Sequence, residues 1–311
     1  MKRIEYQDYG GPEEMMLGEV EKPKPQQGQI LVQVRAAAVN SADWKVRRGE
    51  LKLFTGFRFP RGMGTDFAGI VEAVGPGVKQ LKAGDAVFGT TSVSKPGSFA
   101  EFLVTDEENA VLKPASITFE QAAALPVVSI TAWNALAKAK LSAGQSIFIA
   151  GCLGGVGRSA VQLALIAGAS VAGSCGAAVR EEALALGVGE VVDYRAFDVG
   201  RYRHRFDVVL DAAGALSLNE CSEMLRPGGV SLHVLPTPAK ILGCLFSSRH
   251  HLVFAKTTQA SLTAIAEAAG QGRLVPAIGR VVPLLEAIPA LTELETTGLT
   301  KGKLVFINPA R

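Results

Sequence analysis

The chain has 311 residues, 48% hydrophobic and 20% charged, with a formal net charge of +3. That length carries two ordinary domains with a core each, while the charge is too small and too scattered to line a nucleic-acid groove. Its densest basic run, GRYRHRFD at 200–207, precedes an apolar strand and reads as a solvated loop.

In chain order, residues 1–118 read as strands, turns and loops. QILVQVRAAAV alternates apolar with polar residues and then turns continuously apolar, as a strand does on entering a core. GIVEAVGPGV is a strand closed by a Gly-Pro-Gly turn, and GDAVFG and GSFAEFLVT add two more. Short strands with frequent turns predict a small barrel-like β domain.

Near Ile117 the pattern changes. SITFEQAAALPVVSITAWNAL has helical period with Pro126 interrupting it. Strand and helix then alternate: QSIFIA, VGRSAVQLALIAG, SVAGS, AVREEALALG, EVVDY, FDVVLDAAG, SLNECSEMLRPGG, VSLHVL and HHLVFA. This rhythm predicts an α/β domain over 119–258, a doubly wound parallel sheet of the Rossmann type. The helix TQASLTAIAEAAGQG, the stretch GRVVPLLEAIPALTELE and the strand GKLVFIN break the rhythm. Residues 259–311 are therefore expected to return to the first domain.

Cys152, Cys175, Cys221 and Cys244 lie far apart with no CxxC pair, which speaks against a zinc ribbon or a disulfide scaffold and fits a reducing compartment. The opening MKRIEYQDYG has no apolar core of signal-peptide length, and no apolar run reaches the roughly 18 residues that span a bilayer. The expectation is a soluble, cytoplasmic protein whose partners include neither membrane nor nucleic acid.

The richest motif is FIAGCLGGVG at 148–157, where Gly151, Gly154, Gly155, Val156 and Gly157 join a strand to a helix. A helix N-terminus presents free N–H groups and a positive dipole end, and glycines let a pyrophosphate approach. In this strand–helix setting the cluster reads as a nucleotide loop, with Cys152 as a small filler in place of the usual second glycine. The following strand ends at Ser174, Cys175 and Gly176, without the acid that binds the ribose hydroxyls of NAD. Ser174, Arg180 and Tyr194 are candidates for a 2′-phosphate, so NADPH is the expected cofactor; Arg180 reads alternatively as a surface cation paired with Glu181 or nearby acids.

Taken together, VNSADWKVRRG (39–49), GTDFAGIVEAVGPGV (64–78), GDAVFG (84–89), GSFAEF (97–102), AAALPVVSITAWNAL (122–136), GGVG, VQLA (161–164), LRPGG (225–229) and GKLVF (302–306) carry a resemblance. The chain resembles the medium-chain dehydrogenase/reductase superfamily in its zinc-independent quinone oxidoreductase branch. DWK and SCGA look most like chloroplast-envelope quinone oxidoreductase homologues and alkenal/one oxidoreductases. The resemblance implies a GroES-like barrel domain over 1–118 beside the Rossmann domain, an active site in the cleft between them, NADPH as hydride donor and a homodimer.

Zinc-dependent relatives place a Cys where this chain has Asn40 and a His where it has Thr65, neither of which is a useful zinc ligand here. No metal is therefore expected. One departure concerns the cofactor: plant-like members tend to carry an Arg directly after CGA, where this chain has Ala178.

Hydride transfer without a metal needs positioning and a group that stabilises charge on the accepting oxygen. Lys45 is a candidate, since its ammonium can hold an oxyanion or give a proton; equally, it reads as a solvated cation of a short helix. Asn40 offers an amide to the substrate oxygen or the nicotinamide ribose, and Thr65 borders the cleft by resemblance. Asp43 reads as structural, capping the helix or pairing with Arg47 or Arg48. Thr131 matches a position near the nicotinamide, and Lys303, within GKLVF, is grouped with the cofactor residues. Phe57, Phe59 and Trp133 are candidates for an apolar substrate slot. His250 and His251 adjoin an apolar strand that sends them to opposite faces; one of them, His250, is placed at the substrate pocket.

The expected activity is NADPH-dependent reduction of quinones or α,β-unsaturated carbonyls. Enoyl-thioester reduction and a nucleotide-binding protein with little turnover are the alternatives.

Overall fold

A computed structural model describes residues 1–298 and 301–308. They form two units, one of Met1–Val127 with Thr257–Arg311 and one of Val128–Lys256.

The first unit is a β structure built round the long strand Gln29–Ala38. Its burial alternates over the first residues and becomes continuous over Ala36, Ala37 and Ala38, as the sequence pattern requires. It pairs antiparallel with Asp66–Val74 on one side, and with Phe102–Asp106 and then Lys303–Ile307 on the other. Through that last strand the C-terminal segment returns to the first sheet, bringing Ile278–Pro283 with it as the outermost strand. Phe99 and Phe306 meet edge to face at 4.8 Å, so the return is also cemented in the core, where Ile4, Val32 and Phe67 complete the cluster. A smaller three-stranded sheet contains Lys2–Tyr6.

The boundary at Val127 lies beyond the helix Phe119–Ala123, because that helix packs on Gln29–Ala38 and Asp66–Val74 of the first unit. Pro126 then opens a new helix, Pro126–Ala139, at the position where its missing N–H costs nothing.

The second unit holds a six-stranded parallel sheet. Its strands run Glu190–Asp193, Ser170–Cys175, Ser146–Ala150, Phe206–Asp211, Leu225–His233 and His250–Leu252 across the sheet. In chain order this is the doubly wound arrangement 3-2-1-4-5-6, whose ligands bind beyond the strands' carboxyl ends. Phe148 anchors the core against Phe197, Tyr202 and Phe206.

Two local expectations fail. LRPGG belongs to the start of the strand Leu225–His233 rather than to the preceding helix, which stops at Met224. PAKILGCL forms a helix, Pro238–Leu245, where none was expected. The signal was present: Thr237 accepts the Lys240 N–H at 3.3 Å and Pro238 takes the first turn.

Candidate active site and cofactor loop

In the first unit the strand Gln29–Ala38 hands over to the helix Ser41–Arg47 through Asn40. Asp43 folds back to accept the Asn40 N–H at 2.7 Å, the capping expected of it. Its expected pairing with Arg47 or Arg48 is not found: both arginines bind Glu295, at 2.6 Å each. The Arg47–Glu295 pair is fully buried and fastens the short helix to the helix Ala287–Thr297.

The side chains of Asn40, Asp66 and Lys303 meet in the interior. The Asn40 amide donates to Asp66 Oδ2 at 2.9 Å, and its oxygen accepts from Lys303 Nζ at 2.8 Å. Lys303 also donates to Asp66 at 3.1 Å, and the Val127 N–H closes the other Asp66 oxygen at 3.0 Å. Thr65 donates to Asp43 Oδ1 at 3.3 Å. Two buried carboxyls thus share one ammonium. Burial pushes Asp43 up to about 7, with the neighbouring Asp66 adding to it; burial likewise raises Asp66, against the pull of Lys303 and Asn40.

Asn40, Thr65 and Lys303 are therefore brought together within the first unit. Lys45 is half-buried, and helical spacing puts it with exposed Ser41 and Arg48, not on the Asp43 face. Its ammonium has no hydrogen bond or ion pair among the described residues. Phe57 and Phe59 gather on Tyr9, edge to face at 6.2 and 5.1 Å. Trp133 belongs to the second unit.

The donor set does not suit a catalytic metal. The Asn40 amide and the Thr65 hydroxyl are already engaged, and an ammonium occupies the centre. Among the described residues no group of three or more His, Cys, Asp or Glu side chains could hold a metal ion.

In the second unit the loop after Ser146–Ala150 is fitted closely. Gly151 adopts φ +75° and donates to the Ser174 carbonyl at 3.1 Å. A Cβ on Gly157 would stand 2.0 Å from the Gly151 carbonyl oxygen, and one on Gly155 2.8 Å from Val128. These glycines let the helix Gly155–Ile166 pack against the loop. Gly154 is the helix N-cap and offers no side chain to the first N–H groups, so those of Gly155, Val156 and Gly157 are available to a ligand. This cradle fits a pyrophosphate. Cys152 is fully buried, and burial pushes its thiol up to about 12; it is a filler rather than a reactive group.

Ser174 is buried, and its hydroxyl accepts the Gly151 N–H at 3.3 Å, bracing the loop. Arg180 does not pair with Glu181; it donates to the Val191 carbonyl. Tyr194 is half exposed, its ring 3.7 Å from a Cβ at Gly176. Two neighbours escaped the sequence reading. The Arg195 guanidinium lies over the Tyr194 ring at 5.2 Å. Asp193 stands opposite Cys175 in register, with Oδ1 accepting the Arg195 N–H at 3.0 Å. Thr131 is buried in the helix Pro126–Ala139.

His250 is not free to meet a substrate. Its Nδ1 is 2.6 Å from Ser231 Oγ and its Nε2 3.0 Å from Ser222 Oγ, so both ring nitrogens serve an internal network of the second unit.

A nucleotide cradle on a doubly wound sheet, joined in one chain to a GroES-like unit with a buried polar centre, defines a nicotinamide-nucleotide-dependent oxidoreductase. Residues 26–115 match the alcohol dehydrogenase GroES-like domain and residues 186–306 the zinc-binding dehydrogenase family. The chain belongs to the NAD(P)-binding medium-chain dehydrogenase/reductase superfamily, in its quinone oxidoreductase branch. It is 34% identical over 249 residues to the chloroplast envelope quinone oxidoreductase homolog of Arabidopsis thaliana, covering 76% of each chain. The NADPH-dependent alkenal/one oxidoreductase of the same plant is 37% identical over 238 residues, 74% of this chain and 61% of the relative. Escherichia coli quinone oxidoreductase complexed with NADPH superposes with TM-score 0.83 at 28% identity, over 99% of this chain and 100% of that one.

Proposed function

We propose that the protein is a zinc-independent, NADPH-dependent reductase that passes hydride to quinones or to α,β-unsaturated carbonyls such as enones and alkenals. The observation that carries this reading is the buried Asn40–Asp66–Lys303 centre, an ammonium held where soft or imidazole donors would be needed for zinc. The plant relatives named for quinones and alkenals support the acceptor class.

The cofactor supplies a hydride when bound. The free N–H groups of Gly155, Val156 and Gly157 hold its pyrophosphate, with Gly151 and Gly154 keeping the approach clear. Arg180, Arg195 and Tyr194 supply the cations and hydroxyl that favour a 2′-phosphate, in place of the arginine missing at Ala178. Thr131 is assigned to the nicotinamide end. Lys45, whose ammonium has no hydrogen bond or ion pair among the described residues, adds a positive charge that favours the anion developing on the substrate. Asn40 and Thr65 fix the polar floor of the site.

The reading includes a homodimer, supported by the exposed Ile241, Leu242, Leu245 and Phe246 beside the edge strand His250–Leu252; light scattering on the purified protein checks it. The activity is tested by following NADPH and NADH consumption against a panel of quinones, enones, alkenals and crotonyl-CoA. NADPH-dependent turnover of quinones or enones is expected, with a fall of roughly 10²-fold in kcat for Lys45→Ala. Turnover confined to crotonyl-CoA would favour a thioester reductase. Binding of NADPH without oxidation by any acceptor would leave a nucleotide-binding protein.

A further inference from the structure

Tyr6, the last residue of Lys2–Tyr6, is 1% exposed, and its hydroxyl has no hydrogen-bond partner among the described residues. A buried phenol left unpaired is costly, so the surroundings of this group call for an explanation. It lines a small pocket of the first unit with Ala42, Asp43, Val46, Met63 and Thr65. The room left for the centre of a water-sized group is about 10 Å³, which suits one oxygen atom with its hydrogens. Among the lining residues only Tyr6, Thr65 and Asp43 carry polar side chains.

We propose that this pocket is the oxygen subsite of the reductase: Tyr6 donates a hydrogen bond to the acceptor's carbonyl oxygen, and Asp43, through Thr65, supplies its proton. This rests on the reductase reading above. In balance, the hydride brings one hydrogen and two electrons to the carbon β to the carbonyl, the C=C π pair moves to join the α-carbon to the carbonyl carbon, and the carbonyl π pair moves to oxygen. When Asp43 carries its proton the 3.3 Å contact runs the other way, from the carboxyl to the Thr65 oxygen, and the Asp43 proton passes to that oxygen as the Thr65 proton passes to the substrate. Asp43 is left as a carboxylate and is reprotonated from water. From an enone the product is the enol, which tautomerises in water to the saturated ketone; from a quinone it is the keto tautomer of the hydroquinone, which becomes the hydroquinone as the added carbon loses a proton and the second oxygen gains one.

The surroundings sort the two roles. Burial pushes Tyr6 up to about 12, against the pull of Arg61 and Arg47, so Tyr6 keeps its proton and acts only as a donor. Asp43 faces the charged groups Asp66 and Lys303, and with two carboxyls to one ammonium the cluster retains a proton near neutral pH. Lys45 does not line this pocket, so it acts on the developing anion only at longer range, while Tyr6 and Thr65 make the direct contacts to the oxygen.

The test uses the full chain with Tyr6→Phe and Asp43→Asn, both close in shape to the native residues. Thermal melts and the fluorescence of bound NADPH establish that each variant folds and binds cofactor. We expect kcat to fall roughly 10²-fold in Asp43→Asn, with loss of the wild-type decline in kcat above pH 7. Tyr6→Phe should lower kcat by roughly tenfold or more and keep that decline. If Asp43→Asn cannot fold, the Tyr6→Phe rate and the wild-type pH profile decide the matter. Wild-type turnover with unchanged kcat in Tyr6→Phe and a flat pH profile would show a structural pocket only and overturn the proposal alone. A wild-type protein that binds NADPH but fails to oxidise it with any quinone or enone overturns the reductase reading and this proposal with it.

Discussion

Each unit buries an aspartate against a lysine, yet the two sites are poised in opposite ways. In the second unit Asp211 receives Lys240 Nζ at 2.5 Å and the N–H groups of Ala215 and Leu216 at 2.9 and 3.4 Å, with His233 at 3.7 Å. These donors outweigh burial and hold its carboxyl below the usual range. In the first unit Asp66 has comparable donors, but a second carboxyl, Asp43, stands close, and burial raises both. What separates the sites is whether donors or burial prevail: the donors do at Asp211, and burial does at Asp66 and Asp43. A carboxyl with surplus donors is a fixed structural charge, whereas two that share a lysine can store a proton.

Removing each lysine tests this contrast. Lys240→Met strands Asp211 without its main cation and should cost about 3–5 kcal/mol, read as a large fall in unfolding midpoint at pH 8. Lys303→Met should cost less, about 1–3 kcal/mol, and the loss should shrink at pH 5, where Asp66 and Asp43 take up protons instead. Equal losses at both pH values would break the comparison.

The pH dependence of stability gives a smaller effect. The folded Asp43 carboxyl titrates near 7, above its unfolded value of 3.8. Its contribution is fully present below the unfolded value and is lost as pH rises through about 7. Asp211, held low, contributes above its unfolded value and loses that contribution as pH falls through its folded one. Denaturant melts from pH 5 to 8 should therefore show a decline that Asp43→Asn flattens and Lys240→Met does not. Smallest is Ser222→Ala, which removes one hydrogen bond to His250 Nε2 and should cost about 0.5–1.5 kcal/mol, with kcat unchanged.

The frame and the nucleotide loop were legible in the sequence because both are local. Alternating strands and helices, and glycines at a strand–helix junction, are written within a few consecutive residues. The polar centre was legible only in part. Asn40 and Thr65 stood out through the resemblance, but Asp66 meets Lys303 across 237 positions and Arg47 meets Glu295 across 248, and no local pattern announces such pairs. Tyr6 lay in a strand like any other, and its unpaired hydroxyl appears only once the pocket is formed. Tyr194 stood out at the end of the third strand, but the stacking of its neighbour Arg195 on that ring is a side-chain geometry that no sequence spacing announces. His250 shows the converse: a histidine near a strand end looked available, and two serines, Ser222 and Ser231, had already claimed it.

The most direct test of metal-free hydride transfer is the rate of NADPH oxidation with a simple quinone and an enone, measured before and after exhaustive dialysis against a chelator. Oxidation matched one to one by acceptor reduced, at a rate the chelator leaves unchanged, is the result predicted by the Asn40–Asp66–Lys303 centre. A rate abolished by the chelator and restored by zinc, or no oxidation with either acceptor, would contradict it.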